Sequence, residues 1–182
     1  MNINQCILTY TGNYVSMTQP FGILDFHVSD IAHALSQLCR FGGHTRQFYS
    51  VAQHSVLVSH IVRVEYRLQA LLHDAAEAYC GDIMSPLKNL PAMAPYREHE
   101  RALQSRLFDA FGVIRSEEST ATVKAADLQM LATERRDLMA PNNTTWPILD
   151  GILPRQSSIA PLMPAAAEMQ FLKRFKELSG VL

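Results

Sequence analysis

Leu71-Leu72-His73-Asp74-Ala75-Ala76-Glu77-Ala78-Tyr79-Cys80-Gly81-Asp82 decides how the rest of the chain is read. Four side chains able to hold a cation or a proton stand in a run that is otherwise apolar or small. Residues 70–78 contain neither glycine nor proline and are rich in strong helix formers, so the pattern predicts a helix over 66–79. On it His73 and Glu77, four apart, share a face, and Asp74 lies nearly on that face. The leucines beside them must point to a core. An unpaired charge buried there is costly, and a divalent cation held in common removes the cost. Gly81 ends the helix, and Asp82 follows within reach of the same pocket.

Outward from this stretch the chain is mostly helical in pattern. Asp30 is the expected N-cap of a helix over 31–39, with Ile31, Leu35 and Leu38 at helical spacing. The paired glycines Gly42 and Gly43 make 40–46 a loop. From Ser50 a helix carries Val51, Ser55, Val58 and Val62 on one face, with His54 on it. Pro95 suits the first turn of a helix running to about Phe111. Glu117-Glu118 open a long helix that reaches about Met139 and contains Asp127, because acidic groups complement a helix N-terminus. Five prolines or glycines between 141 and 161 mark a long loop, and Pro164 opens a last helix. Upstream, 6–10 and 14–17 read as strands joined by the turn Thr11-Gly12-Asn13, with Pro20 and Gly22 ending the hairpin. The expected architecture is an all-α bundle with a short N-terminal β-hairpin, one domain over 1–182. Within it 1–20 is an appendage, and 140–182 is a proline-rich loop followed by the C-terminal helix.

Composition narrows the function classes. With 48% hydrophobic and 18% charged residues, the 182-residue chain can fill a core and is unsuited to disorder. A net charge of −1 argues against a strongly basic nucleic-acid surface or a polybasic membrane patch. Cys6, Cys39 and Cys80 form no CxxC pair and read as reduced thiols. No apolar run reaches membrane-spanning length, and the start lacks the pattern of a secretion signal, so a cytoplasmic protein is expected.

The candidate metal ligands are His54, His73, Asp74 and Asp127, from three separate helices. Taken singly, each has a plain alternative: His54 as a satisfied core histidine, Asp127 as a surface or capping group. Taken together, two imidazoles and two carboxylates form a mixed donor set that suits Zn, Mn, Fe or Co better than Ca.

The order of these residues carries a resemblance. His54, then His73-Asp74, then Asp127 is similar to the signature of the HD superfamily of metal-dependent phosphohydrolases. Residues 49–55, 72–78 with Gly81-Asp82-Ile83, and 123–127 resemble the branch that holds 5′-deoxynucleotidases. So do 30–36 and 40–45, especially the small bacterial and phage members, one phage group of which degrades dATP. The likeness covers about residues 6–139.

It implies an HD-type helical bundle, with His54, His73, Asp74 and Asp127 on a metal (Zn, Co or Mn) and Glu77 and Asp82 as catalytic carboxylates. Arg40 is implied as a phosphate contact, Lys88 as a lysine near phosphate, and Phe41 as the group beside the sugar, where the bacterial enzymes carry tryptophan. The implied reaction is cleavage at the α-phosphorus of a deoxynucleotide, foremost dATP, giving deoxynucleoside and triphosphate with further Mg, Mn or Co on the triphosphate. A 5′-deoxynucleotidase acting on monophosphates, and a non-catalytic metal- or nucleotide-sensing domain, are the alternatives. The implied partners are small-molecule deoxynucleotides and further copies of the chain, as a dimer or hexamer, with neither nucleic acid nor membrane. His44, Arg46, Arg97 and His99 are candidates for a polyphosphate tail. Trp146 reads as a loop anchor, with base stacking the alternative, and His33 as a packing or capping group.

Overall fold

The computed structural model describes residues 3–18 and 26–180; Pro20 and Gly22, the expected end of the hairpin, lie outside them. Strands β1 (Cys6–Leu8) and β2 (Tyr14–Ser16) pair antiparallel, with Ile7 opposite Val15. The turn closes through Thr9 and Asn13, as its Gly12-Asn13 sequence favours. Among the described residues eight α-helices follow: α1 (Val28–Gln37), α2 (Val51–Ser59), α3 (Arg67–Leu71), α4 (Glu77–Cys80), α5 (Ser85–Lys88), α6 (Ala94–Ala110), α7 (Glu117–Leu138) and α8 (Pro164–Ser179). The described chain is thus all-α with a short hairpin. None of these helices is long and apolar enough to cross a membrane.

Local chemistry explains the long helices. Ser50 caps α2 by accepting from the Gln53 N–H. Ser116 and Ser119 form a reciprocal capping box at the start of α7, with Glu117 and Glu118 in its first turn and Arg135 and Arg136 in its last. Proline stands in the first turn of α8, where its missing N–H costs nothing. Asp30 departs from its expected role. It lies inside α1, one turn past the N-cap His27, and its carboxylate accepts from the Thr11 N–H and hydroxyl at 2.7 and 2.9 Å. That bond pins the hairpin turn to the bundle.

The main core gathers Ile31 and Leu35 of α1, Val51 and Val56 of α2, Leu71 and Leu72, Leu103 and Leu107 of α6, and Phe171 of α8. A second cluster joins Val58, Val62 and Ala70 to Val123, Ala126 and Met130 of α7. Helix α8 packs on α1, α2 and α3, and α7 packs on α2 and α3.

One expected helix is broken. Residues 66–79 do not form a continuous helix: α3 stops at Leu71, 72–76 are turns, and α4 begins at Glu77. In an unbroken helix the Ala76 N–H would donate to the Leu72 carbonyl. Gln104 of α6 takes both places: its amide oxygen accepts from Ala76 N at 2.9 Å, and its amide nitrogen donates to Leu72 O at 2.8 Å. The inserted side chain satisfies both backbone groups and opens the ladder at His73 and Asp74.

Candidate metal centre

His54 projects from the middle of α2, and its side chain is fully buried. His73 and Asp74 come from the opened turn before α4, and Asp127 from the third turn of α7. The structure brings all four together. His54 Nε2 lies 3.3 Å from His73 Nε2, 3.7 Å from Asp74 Oδ2 and 3.3 Å from Asp127 Oδ1. His73 Nε2 lies 3.2 Å from Asp74 Oδ2 and 4.0 Å from Asp127 Oδ1. Donor atoms of His54, His73 and Asp74 fit within 4.8 Å of one another, a span suited to one ion.

The other nitrogens of both rings are engaged. His73 Nδ1 donates to the Ala70 carbonyl at 2.8 Å, so in the neutral ring the lone pair stands on Nε2, toward the cluster. His54 Nδ1 donates to Glu134 Oε1 at 2.6 Å. Two inward imidazole nitrogens and two carboxylate oxygens need a positive charge between them. Without metal, a proton on His54 supplies it. Burial and Arg40 oppose that proton, but Glu134 and Asp127 outweigh them and push the His54 pKa up to about 9. Burial would raise Asp127, yet its bond to His54 and the nearby His73 hold it well below the usual carboxylate range. A divalent cation meets the same demand with the same donors, and the ring bonds to Ala70 O and Glu134 already fix both imidazoles for it.

Around the cluster stand the other expected site residues. Glu77 opens α4 with its side chain buried; Oε1 lies 3.6 Å from Lys88 Nζ, and Oε2 has no hydrogen-bond partner among the described residues. Burial, then the charges of Asp74 and Asp82, hold its carboxyl well above the usual range. Asp82, just past Gly81, is raised by burial and by Asp74, against the pull of Arg40 and Lys88. Lys88 of α5 bridges Glu77 and Glu100, at 2.7 Å from the latter. Burial lowers its pKa, but Glu100 and Glu77 outweigh burial and leave it raised.

Arg40 follows α1 in a segment sewn beside the start of α2, its N–H donating to the Tyr49 carbonyl. Its Nη1 lies 3.6 Å from Asp74 Oδ2, and its Nη2 donates to Glu134 Oε2 at 3.1 Å. Phe41 is the one non-glycine residue with positive φ among those described, at φ 56°. For a bulky residue this backbone is strained. It brings the Phe41 ring 6.3 Å from Trp146, over which the Arg135 guanidinium also lies.

Two expected tail groups are committed elsewhere. Arg46 donates to the Asp137 carbonyl, and Arg97 to the carbonyls of Lys88 and Leu90. His33 packs as expected, stacked on Tyr10 and bonded to Glu168 at 3.0 Å.

Glu134 was not singled out from the sequence, although it is fully buried and touches both His54 and Arg40. The available signal was spacing. Glu134 follows Asp127 by seven residues, two helical turns, and so shares its face of α7.

Comparison with known proteins gives a relative but no described activity. The chain is 44% identical over 156 residues to an uncharacterized Escherichia coli K12 protein, YfdR, covering 85% of each. It is 40% identical over 74 residues to an uncharacterized Rhodobacter capsulatus protein, covering 36% of this chain and 38% of the other. No family model matches.

Proposed function

The chain belongs to the family of Escherichia coli YfdR, and from the geometry of its site and the resemblance of its motifs we propose that it is a metal-dependent phosphohydrolase of the HD type, cleaving deoxynucleotides at the α-phosphorus. The observation that carries this reading is the pair of inward imidazole nitrogens, 3.3 Å apart and each backed by a bonded Nδ1, beside the buried, unpartnered Oε2 of Glu77. A cage alone fits a sensor as well. A buried carboxyl beside the cage, held above its usual range by burial and by the charges of Asp74 and Asp82, favours chemistry.

When bound, a divalent cation such as Zn, Co or Mn supplies a Lewis acid that offsets phosphate charge and lowers the pKa of water toward about 7. His54, His73, Asp74 and Asp127 would hold it. Glu77 is the base: it takes a proton from the attacking water. The water oxygen bonds to the α-phosphorus as the P–O5′ bond breaks. Asp82 gives a proton to the departing 5′-oxygen, which leaves as the deoxynucleoside hydroxyl. Arg40 and Lys88 exchange part of their present carboxylate contacts for phosphate oxygens. Phe41 lies beside the sugar.

Resemblance favours dATP, split into deoxyadenosine and triphosphate. A second reading, hydrolysis of deoxynucleoside monophosphates, draws on the engagement of Arg46 and Arg97 with backbone carbonyls, which leaves those two cations poorly placed for a polyphosphate tail. The bond broken is the same in both. The test is a panel of deoxy- and ribonucleoside mono- and triphosphates with Mn, Co, Zn or Mg, products separated by chromatography. Free deoxyadenosine and triphosphate from dATP alone supports the first reading. Phosphate from several monophosphates supports the second, and no product from any member of the panel rejects both.

A further inference from the structure

Glu134 touches the cage without belonging to it. It stands two turns beyond Asp127 on the same face of α7, with its side chain fully buried. Its two oxygens are divided between two elements. Oε1 accepts from His54 Nδ1 at 2.6 Å, on α2. Oε2 accepts from Arg40 Nη2 at 3.1 Å, in the segment after α1. The other arm of that guanidinium then lies 3.6 Å from Asp74. Through two bonds this carboxylate thus reaches a ligand directly, a second ligand by way of Arg40, and a third along its own helix.

We propose that Glu134 is a positioning residue that sets the metal cage and the anion-binding arginine with one carboxylate; this rests on reading the cage as a metal site. Its charge and its two acceptors are both required. Glutamine has the same shape but one acceptor oxygen. The charged guanidinium draws that oxygen more strongly than the imidazole does. The amide nitrogen of the variant then faces His54 Nδ1, and two donors cannot bond. His54 responds by moving its proton to Nε2, where it occupies the lone pair that a cation needs. Aspartate keeps both acceptors.

The experiment titrates the full chain with cobalt(II), followed by visible absorption, with circular dichroism as a folding check. Glu134→Gln is expected to weaken cobalt binding about 10- to 100-fold, the usual effect of losing such a partner. Glu134→Asp is expected to recover most of that loss, which a filler role in the core would not produce. A folded Glu134→Gln chain that binds cobalt within twofold of wild type overturns the proposal. If that variant does not fold, the wild-type zinc-loaded protein carries the test by proton NMR. The His54 Nδ1 proton, in a short bond to a buried carboxylate, is expected far downfield and slow to exchange, and its absence overturns the proposal. Failure of the wild type to hydrolyse any nucleotide, with the cobalt results as expected, sinks the proposed function and leaves the assignment of Glu134 standing.

Discussion

Glu134 and Glu77 are both buried beside the same cluster, yet they are held in opposite ways. Glu134 has a cation or a ring N–H on each oxygen. Burial would raise its pKa, but Arg40 and His54 outweigh burial and hold it below the usual range. Glu77 has one oxygen with no hydrogen bond and two acidic neighbours, and it is held well above that range. The difference teaches that burial does not set a carboxylate's task; its partners do. A fully bonded carboxylate fixes geometry, whereas one left short of partners is ready to accept a proton.

The sharpest way to break this comparison is Glu77→Gln. Turnover should fall about 10²- to 10⁴-fold, the range for loss of a positioned base, while cobalt affinity stays within a few-fold. Turnover at the wild-type rate in a chain that still holds metal would remove Glu77 from the mechanism. The same substitution should also stabilise the metal-free protein. A carboxyl raised on folding contributes stability that is lost as pH rises through its folded pKa, so at pH 8 the variant escapes that loss. Its Tm should rise by about 2–4 °C, the size of a 1 kcal/mol gain in a chain this long.

Next in size is Gln104→Leu, which leaves the Leu72 carbonyl and the Ala76 N–H without the side chain that joins them. A loss of about 1–3 kcal/mol in urea unfolding is expected, together with weaker metal binding, because His73 and Asp74 stand in the turn it opens. A fully stable variant with unchanged metal affinity would show that the break at 72–76 does not depend on Gln104.

The pH dependence of the metal-free protein has a definite sign. His54 has a folded pKa of about 9 against an ordinary 6.5. The stabilisation from its proton is complete below 6.5 and is lost as pH rises through about 9. Unfolding midpoints in the presence of a chelator should fall across that window, and saturating zinc should flatten the fall. A flat profile without metal would mean that His54 is not held as described. Smallest of all is Arg97→Ala. Its guanidinium bonds backbone carbonyls, so KM for deoxynucleoside monophosphates should stay within twofold in a steady-state assay. A tenfold rise would place Arg97 on the substrate.

Much of the frame was legible because helix ends are written in local chemistry. Ser50, Glu117-Glu118 and Pro164 announce their helices through capping, charge and a fixed φ, and none of these signals needs a distant partner. His54, His73-Asp74 and Asp127 stood out as chemically costly residues in apolar surroundings, and the fold brings them together. What escaped depends on contacts across the chain. No local rule shows that Gln104 enters the backbone ladder at Leu72 and Ala76, so the helix over 66–79 looked continuous. Asp30 has the chemistry of an N-cap, but the hairpin turn at Thr11 competes for its carboxylate and wins. Glu134 shares a helix face with Asp127, but only the fold shows that this face meets Arg40 and His54.

The last helix has a consequence of its own. Arg174 of α8 is buried and gives its Nε to the Ser59 hydroxyl at 3.0 Å and its Nη2 to the Ser59 carbonyl at 3.2 Å, at the end of α2. Phe171 and Ala167 fill the space between α8 and the helices it covers. A chain cut short after α7 would bare that apolar seam to water and strip the rear support from the helix that carries His54. The stretch beyond the recognisable signature is therefore foundation rather than tail.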